Sequence, residues 1–283
     1  MKFLKSSSSK VIALLILVAI VAFAIYASFS FNGSTKHSSA LPSDITALIK
    51  IDVKESVSEM GFNLIDILGE ISKGAKKETE LDINLAKSGI DFKSSIYCFA
   101  TTINPNNIPQ FGCILPISDS KEFKDFLNKI FSSISNNEEK LEVADGVSFY
   151  LNNDFFIGFD DNKCLLLANK NNAINDSLDN LKSHGLKLMN QKANESGNRS
   201  KLYSLLGTSP ISAAISGDNL IKSMGNDYNN TLLLSLSPYD LSEVYYLANM
   251  DFMNNGASLN VTLDSDNEDF NKIMEKSLTC FGG

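Results

Sequence analysis

VYYLANMDFMNNGASLNVTLD, residues 244–264, is the stretch on which the reading of the fold turns. Asn255-Gly256 is a dipeptide that type I′ turns prefer, because both central positions of that turn need φ > 0. Centring a hairpin there sets Phe252 opposite Leu259, Met250 opposite Val261 and Ala248 opposite Leu263. The other face then pairs Asp251 with Asn260 and Asn249 with Thr262. One face is apolar and the other largely polar, as a half-buried antiparallel pair requires.

Working outward, the residues around this hairpin repeat a pattern from the first half of the chain. PSDITALIKID near Pro42 is echoed by SPISAAISGD near Pro210, and VSEMG ending at Gly61 by LIKSMG ending at Gly225. IYCFAT at Ile96 matches VYYLAN at Val244, and SDSKEFKDF before Leu127 matches SDNEDFNKI before Met274. This reads as an internal duplication with copies near 45–133 and 209–279. The predicted fold is therefore α+β: two copies of a strand-helix-strand-strand-helix unit in ferredoxin-like order, with antiparallel sheets. The second copy stops at a helix and reads as truncated relative to the first.

In the first copy Ile45, Ala47, Ile49, Ile51 and Val53 alternate with Thr46, Lys50 and Asp52, which predicts a half-buried strand. Val57, Met60, Leu64, Ile67, Leu68 and Ile71 follow at helical spacing. SIYCFATT and FGCILPI supply two more strands before a helix that opens at Asp119 or Ser120 and carries Phe123, Phe126, Leu127 and Ile130. Further strands are predicted at 147–152, 155–160 and 163–168, then a helix with Ile174, Leu178 and Leu181 that Gly185 interrupts. The polar run 190–201 marks a boundary between domains. The expected organisation is 1–31 cytoplasmic tip and transmembrane anchor (or signal peptide), 32–44 tether, 45–190 first unit with additional strands, 191–208 connection, and 209–283 second unit.

The anchor rests on 17 apolar residues, Val11 to Ala27, extended with two serines to Phe31. As a helix this spans about 25 to 31 Å, close to the hydrocarbon thickness of a bilayer. Lys2, Lys5 and Lys10 precede it, and only Lys36 lies between Ser34 and Ser43. The positive-inside rule then places the N-terminus in the cytoplasm and the body outside. A cleaved signal peptide is the alternative, with Ala22-Phe23-Ala24 as a weak small-x-small site inside the apolar run. The first cysteine is Cys98, so no lipid acceptor follows the apolar segment. Beyond it the chain holds 22 basic against 33 acidic residues, a net −11. That sign repels phosphate backbones and argues against nucleic acid as a partner.

The chain resembles the Bacteroidetes envelope proteins called domain of unknown function 4836. The resemblance lies in LPSDITALIKIDVKESVSEMG, SGIDFKSSIYCFATT, FGCILPISDSKEFKDFLNKI and DGVSFYLNNDFFIGFDDNKCLLL, and continues into the second copy. It implies an exported protein, in a family where many members look like lipoproteins and most are longer than this chain. It implies no activity and carries over no functional residues.

Reactive chemistry is sparse. Cys98, Cys113, Cys164 and Cys280 show no C-x-x-C spacing and no nearby histidine, so they read as thiols on strands rather than zinc ligands. Cys98 and Cys113 lie on adjacent strands, and the register of the second copy, transferred to the first, puts them on one face several residues apart. His37 in the tether and His184 beside Gly185 have no partner at ligand spacing and are expected to face solvent. Asp264, Asp266, Glu268 and Asp269 lack the central glycine and distant glutamate of a calcium loop. Like Asp119 to Glu122, they are expected to cap a helix. Asp160-Asp161-Asn162 reads as a turn. No G-x-S-x-G, G-x-x-x-x-G-K-[ST], H-E-x-x-H or G-x-G-x-x-G occurs. The N-x-[ST] triplets at Asn194 and Asn260 are chance in so Asn-rich a chain, and Gly282-Gly283 resembles a conjugation tail only superficially. These readings assign no catalytic residue, cofactor or metal. They favour a non-catalytic, membrane-tethered envelope protein whose duplicated units bind a partner or ligand across the cleft between copies, with an envelope hydrolase built from scattered carboxylates and hydroxyls as the alternative.

Overall fold

A computed structural model of the chain describes residues 35–59, 68–69, 72–73, 84–101, 111–134, 140–152, 155–168, 178–191, 198–217, 241, 243–253, 256–268 and 270–272. The segment 11–31 predicted to cross the membrane lies outside them. Among the described residues no helix is long and apolar enough to cross a membrane.

The elements run β1 (Ile45–Ile51), α1 (Val53–Glu59), β2 (Ile96–Thr101), β3 (Phe111–Pro116), α2 (Ser120–Ile134), β4 (Glu142–Ala144), β5 (Val147–Leu151), β6 (Phe155–Phe159), β7 (Lys163–Ala168), α3 (Leu178–Asn190), α4 (Asn198–Leu205), β8 (Ile211–Ser216), β9 (Val244–Met253) and β10 (Gly256–Ser265). One antiparallel sheet joins the strands in the order β10-β9-β8-β1-β2-β3-β7-β6-β5-β4. The α+β class holds, and β1, α1, β2, β3 and α2 follow one another in the strand-helix-strand-strand-helix order expected of the first copy. The sheet is not arranged as in a ferredoxin-like unit, which inserts a strand between the first two, whereas β1 pairs directly with β2, Leu48 facing Phe99 and Ile51 facing Ile96.

The sheet is a middle layer with a core on each face. On the front, Ile51, Ile96, Cys113, Leu115, Cys164, Ile157 and Phe159 meet Val53 of α1, Leu68, Leu85, and Phe123, Leu127 and Phe131 of α2. On the back, Leu48, Tyr97, Phe99, Ile114, Phe149, Phe156 and Leu165 meet Leu181, Leu188 and Met189 of α3 and Leu202 of α4. β1 is thus a central strand rather than half-buried: Leu48, on the supposed polar face, is fully buried, while Ile49 is partly exposed. Asp119 opens α2 as predicted, its Oδ1 accepting from the backbone N–H of Lys121 and Glu122, both at 2.9 Å. Asp160 Oδ1 likewise accepts from Asn162 and Lys163 in the β6–β7 turn.

Glycine, histidine and the N-terminal approach depart from expectation. Gly185 does not interrupt α3 but lies buried within it. A Cβ there would stand 2.5 Å from the ring of Phe156, so the missing side chain lets helix and sheet close together. His184 is accordingly half-buried in mid-helix rather than exposed. The predicted tether 32–44 is not free chain throughout. A 3-10 turn spans Thr35–Ala40, Ala40 and Leu41 are fully buried in the back core, and Lys163 Nζ donates to Ser39 Oγ at 2.9 Å. The predicted connection 191–208 holds α4, whose Leu202 is fully buried.

The hairpin is present with a shifted register. Phe252 faces Ala257, Met250 faces Leu259 and Ala248 faces Val261, with Met253 opposite Gly256. Gly256 therefore belongs to β10 rather than to the turn. A shift of two keeps every residue on its predicted face, because side chains alternate with period two. The expected burial fails on β10, however: Leu259 is 60% and Val261 62% exposed.

The two strand triplets meet at β1 and β8, and their registers run in parallel. Leu48 faces Ala214, with Ala47 opposite Ile215 and Ile49 opposite Ala213. Leu48 faces Phe99 in β2 as Ala214 faces Leu247 in β9, and Ile49 faces Cys98 as Ile215 faces Tyr246.

Candidate functional site

Two surfaces of the β8–β10 half stand out, one on each face. On the back, consecutive cross-strand partners form a polar row: Tyr97 in β2, Lys50 in β1, Ser212 in β8, Asn249 in β9 and Asn260 in β10. The alternation that puts Leu48 in the core places Lys50 two residues on, on the same face. Its Nζ donates to the Gly207 carbonyl at 2.7 Å, and Ser212 Oγ donates to the same carbonyl at 3.2 Å. Burial lowers the Lys50 pKa below its ordinary value, with Asp52 and Glu55 opposing.

Tyr97 and Tyr203 bring their hydroxyls within 3.2 Å, and burial together with this contact raises the Tyr97 pKa. Asn249 Oδ1 is buried without a hydrogen-bond partner, close against Gly207, where a Cβ would strike it. A serine nucleophile activated by lysine requires the lysine to accept from the serine hydroxyl. Here both groups donate to one carbonyl, and Ser212 is fully buried. The row fixes the chain after α4 onto the sheet; it is a structural lock. Sequence reasoning missed it because its members come from five strands far apart in the chain.

On the front, Met250, Leu259, Val261, Leu263, Ala248 and Tyr246 share one face of β9 and β10. Leu259, Val261 and Leu263 are exposed, together with Ile49 on β1; exposed Met253, at the end of β9, falls on the other face by alternation. This is the apolar side of the predicted hairpin, exposed along β10 where a covered face was expected. Within the described sheet β10 is an outermost strand, with β4 at the opposite edge.

The remaining sequence candidates do not converge. Cys98, Cys113 and Cys164 all lie on the front face, with Cys98 directly opposite Cys113 rather than several residues away. The transferred register failed because segment 102–110 separates β2 from β3 where only two residues separate β9 from β10. His184 Nε2 is buried without a partner, and burial lowers the pKa of the ring. His37 lies in the 3-10 turn, its side chain outside the described set, as is Cys280. Asp264 and Asp266 approach Lys201 Nζ at 4.0 and 2.7 Å, and the helical cap after β10 is supplied by Asn267, whose Oδ1 accepts from Phe270 N–H. Among the described residues no group of three metal-ligating side chains occurs.

The family model described as Domain of unknown function (DUF4836) matches residues 41–282, and the chain belongs to that family. No curated protein matches it. Among solved structures, the one titled "Structure of crystal form I of TP0453" is similar at 10% identity with a TM-score of 0.41, covering 88% of each chain.

Proposed function

We propose that this member of the DUF4836 family is a non-catalytic envelope protein, anchored through residues 11–31 with its N-terminus in the cytoplasm, whose extracytoplasmic body works as an interaction module. The observation that carries the interaction reading is the exposed apolar row Leu259, Val261 and Leu263 on the edge strand β10. Long apolar edge strands are ordinarily blunted by proline, lysine or an inward charge; Gly256–Ser265 contains no proline and no lysine, and its one charge is Asp264.

The body is built from two copies of one unit. The matching registers about the Leu48–Ala214 pair support this, because the residues brought into equivalence are those that the sequence repeat aligns.

The occupant of the β10 edge is a second copy of the chain. Antiparallel self-pairing centred on Val261 sets Leu259 against Leu263 of the partner, Asn260 against Thr262 and Ser258 against Asp264. No like charges meet, and the apolar rows join on one face. Light scattering of the full chain in detergent tests this. The wild type is expected to be a dimer at tens of micromolar, roughly the range of a modest interface, and Val261→Lys a monomer with an unchanged circular dichroism spectrum. A monomeric wild type, or a dimer indifferent to Val261→Lys, overturns the self-association reading. The anchor is checked separately: full-mass protein retained in membranes after an alkaline wash supports it, and a shorter soluble product overturns it.

A further inference from the structure

The directly opposed cysteines on the front of the central sheet do something that no part of the proposed interaction requires. Cys98 in β2 and Cys113 in β3 are cross-strand partners, and their sulfurs stand 3.2 Å apart. We infer that Cys98 and Cys113 form a redox-labile disulfide that staples β2 to β3.

The geometry is close to what the bond needs. Directly opposed residues in an antiparallel pair have Cβ atoms about 4.5–5.5 Å apart, and a disulfide takes about 3.5–4.5 Å. The sulfurs have a little over 1 Å to close to reach the bonded length of about 2.04 Å. β2 and β3 are held in register on both sides, by β1 and β7, so the two side chains cannot drift apart.

The two thiols are unequal. Cys98 is half-buried, while Cys113 is fully buried, and the hydrogen bond it shares with Cys98 together with burial holds the Cys113 thiol well above its ordinary pKa. This sets an order. Cys98, as the thiolate, attacks a small external disulfide such as oxidised glutathione; one glutathione thiolate leaves and Cys98 carries the other half as a mixed disulfide. Cys113 then loses its proton and attacks Cys98 Sγ, closing the Cys98–Cys113 bond and expelling the second glutathione. Two thiols of the protein are oxidised and one external disulfide is reduced to two thiols, so atoms and electrons balance. Cys164, across from Leu115 on β7, is diagonal to Cys113 rather than opposed, and is fully buried.

Trypsin makes the test direct, because cleavage after Lys93 and Lys121 yields one peptide carrying both residues and no other cysteine. The full chain in detergent is equilibrated with oxidised and reduced glutathione at a series of ratios, quenched in acid, and its free thiols are tagged under denaturing conditions before digestion. Expected is a peptide 94–121 two hydrogens lighter and untagged at oxidising ratios, and doubly tagged at reducing ones. The peptides of Cys164 and Cys280 should not join it in a cross-link. The oxidised chain should also melt higher than the reduced one, by about 5 °C. A peptide tagged twice across the whole range, or a glutathione adduct on Cys98 that never resolves, overturns the inference. Cys113→Ser is expected to trap that adduct; if the variant fails to fold, the wild-type peptide alone decides. The assay runs in vitro, so its failure leaves the proposed envelope location and β10 pairing untouched.

Discussion

Leu48 of β1 and Ala214 of β8 face each other at the centre of the sheet, both fully buried on its back face. They occupy matched positions in the two strand triplets, one filled by a large side chain and the other by a small one. Packing at this junction is therefore shared between them. Leu48→Ala is expected to cost about 2–5 kcal/mol and Ala214→Leu about 1–3 kcal/mol. The exchange of both should recover part of the loss, with a coupling of at least about 0.5 kcal/mol in urea denaturation. Simple additivity would show that the two side chains do not share a space.

Gly185→Ala should destabilise the protein although alanine is the better helix former by about 1 kcal/mol. The added methyl meets the ring of Phe156, which is fully buried and stacked on Phe149 at 5.6 Å, so it has nowhere to move. A net loss of about 1–3 kcal/mol is expected. Gly256→Ala, in open space on β10, is the control and should be neutral within about 0.5 kcal/mol. Equal melting temperatures for the two variants would contradict the packing argument.

His184 should give the protein an acid-side dependence. Burial holds the folded-state pKa below the ordinary histidine value of about 6.5, with Asp44 opposing and Lys187 adding to the shift. As the pH falls the unfolded chain takes up the proton first, so the contribution is complete above about pH 6.5 and is lost as the pH drops through that value towards the folded pKa. His184→Leu removes the titration and also an unpaired buried nitrogen. Its stability advantage over wild type should therefore widen between pH 7.5 and 5.5, read from paired thermal melts. A constant difference across that window counts against the reading.

Leu41→Ala is expected to lower stability by about 2–5 kcal/mol, the usual cost for emptying a buried leucine site. Had the stretch before β1 been free tether, the change would be silent. Lys163→Met should cost far less, because the stem stays packed and what is lost is the bond to Ser39 and the attraction of Asp160. Chemical denaturation of the two variants side by side separates the contributions.

What the sequence made legible follows from local periodicity. The alternation in β1, the apolar runs of β6 and β7 and the spacing of Phe123, Leu127 and Ile130 each depend on neighbours within a few residues, and each element formed where expected. The faces of the β9–β10 hairpin were legible too, while its register was not, because Asn255-Gly256 competes with cross-strand packing and a shift of two costs no change of face. What stayed hidden required distant partners. Gly185 looked like a helix stop because its ring partner Phe156 lies on another element. α4 was hidden because it begins inside the polar run, while the residues that anchor it, Leu202 with Tyr203 and Leu205, lie just past the end of that run. The polar row from Tyr97 through Lys50 and Ser212 to Asn249 has no sequence signature, since its members come together only when β1 meets β8.

That meeting has a kinetic consequence. The edge of β1 finds its partner 166 residues later, at Ala214, whereas every strand from β2 to β7 is completed from within its own half. Loop-closure entropy over that span must be overcome before the central pair stabilises anything, so the β1–β8 closure is expected to follow the pairing of strands β1 to β7. In a chain that emerges N-terminus first, β1 stands for most of that time as an open template, and the half already folded is the species most exposed to mispairing.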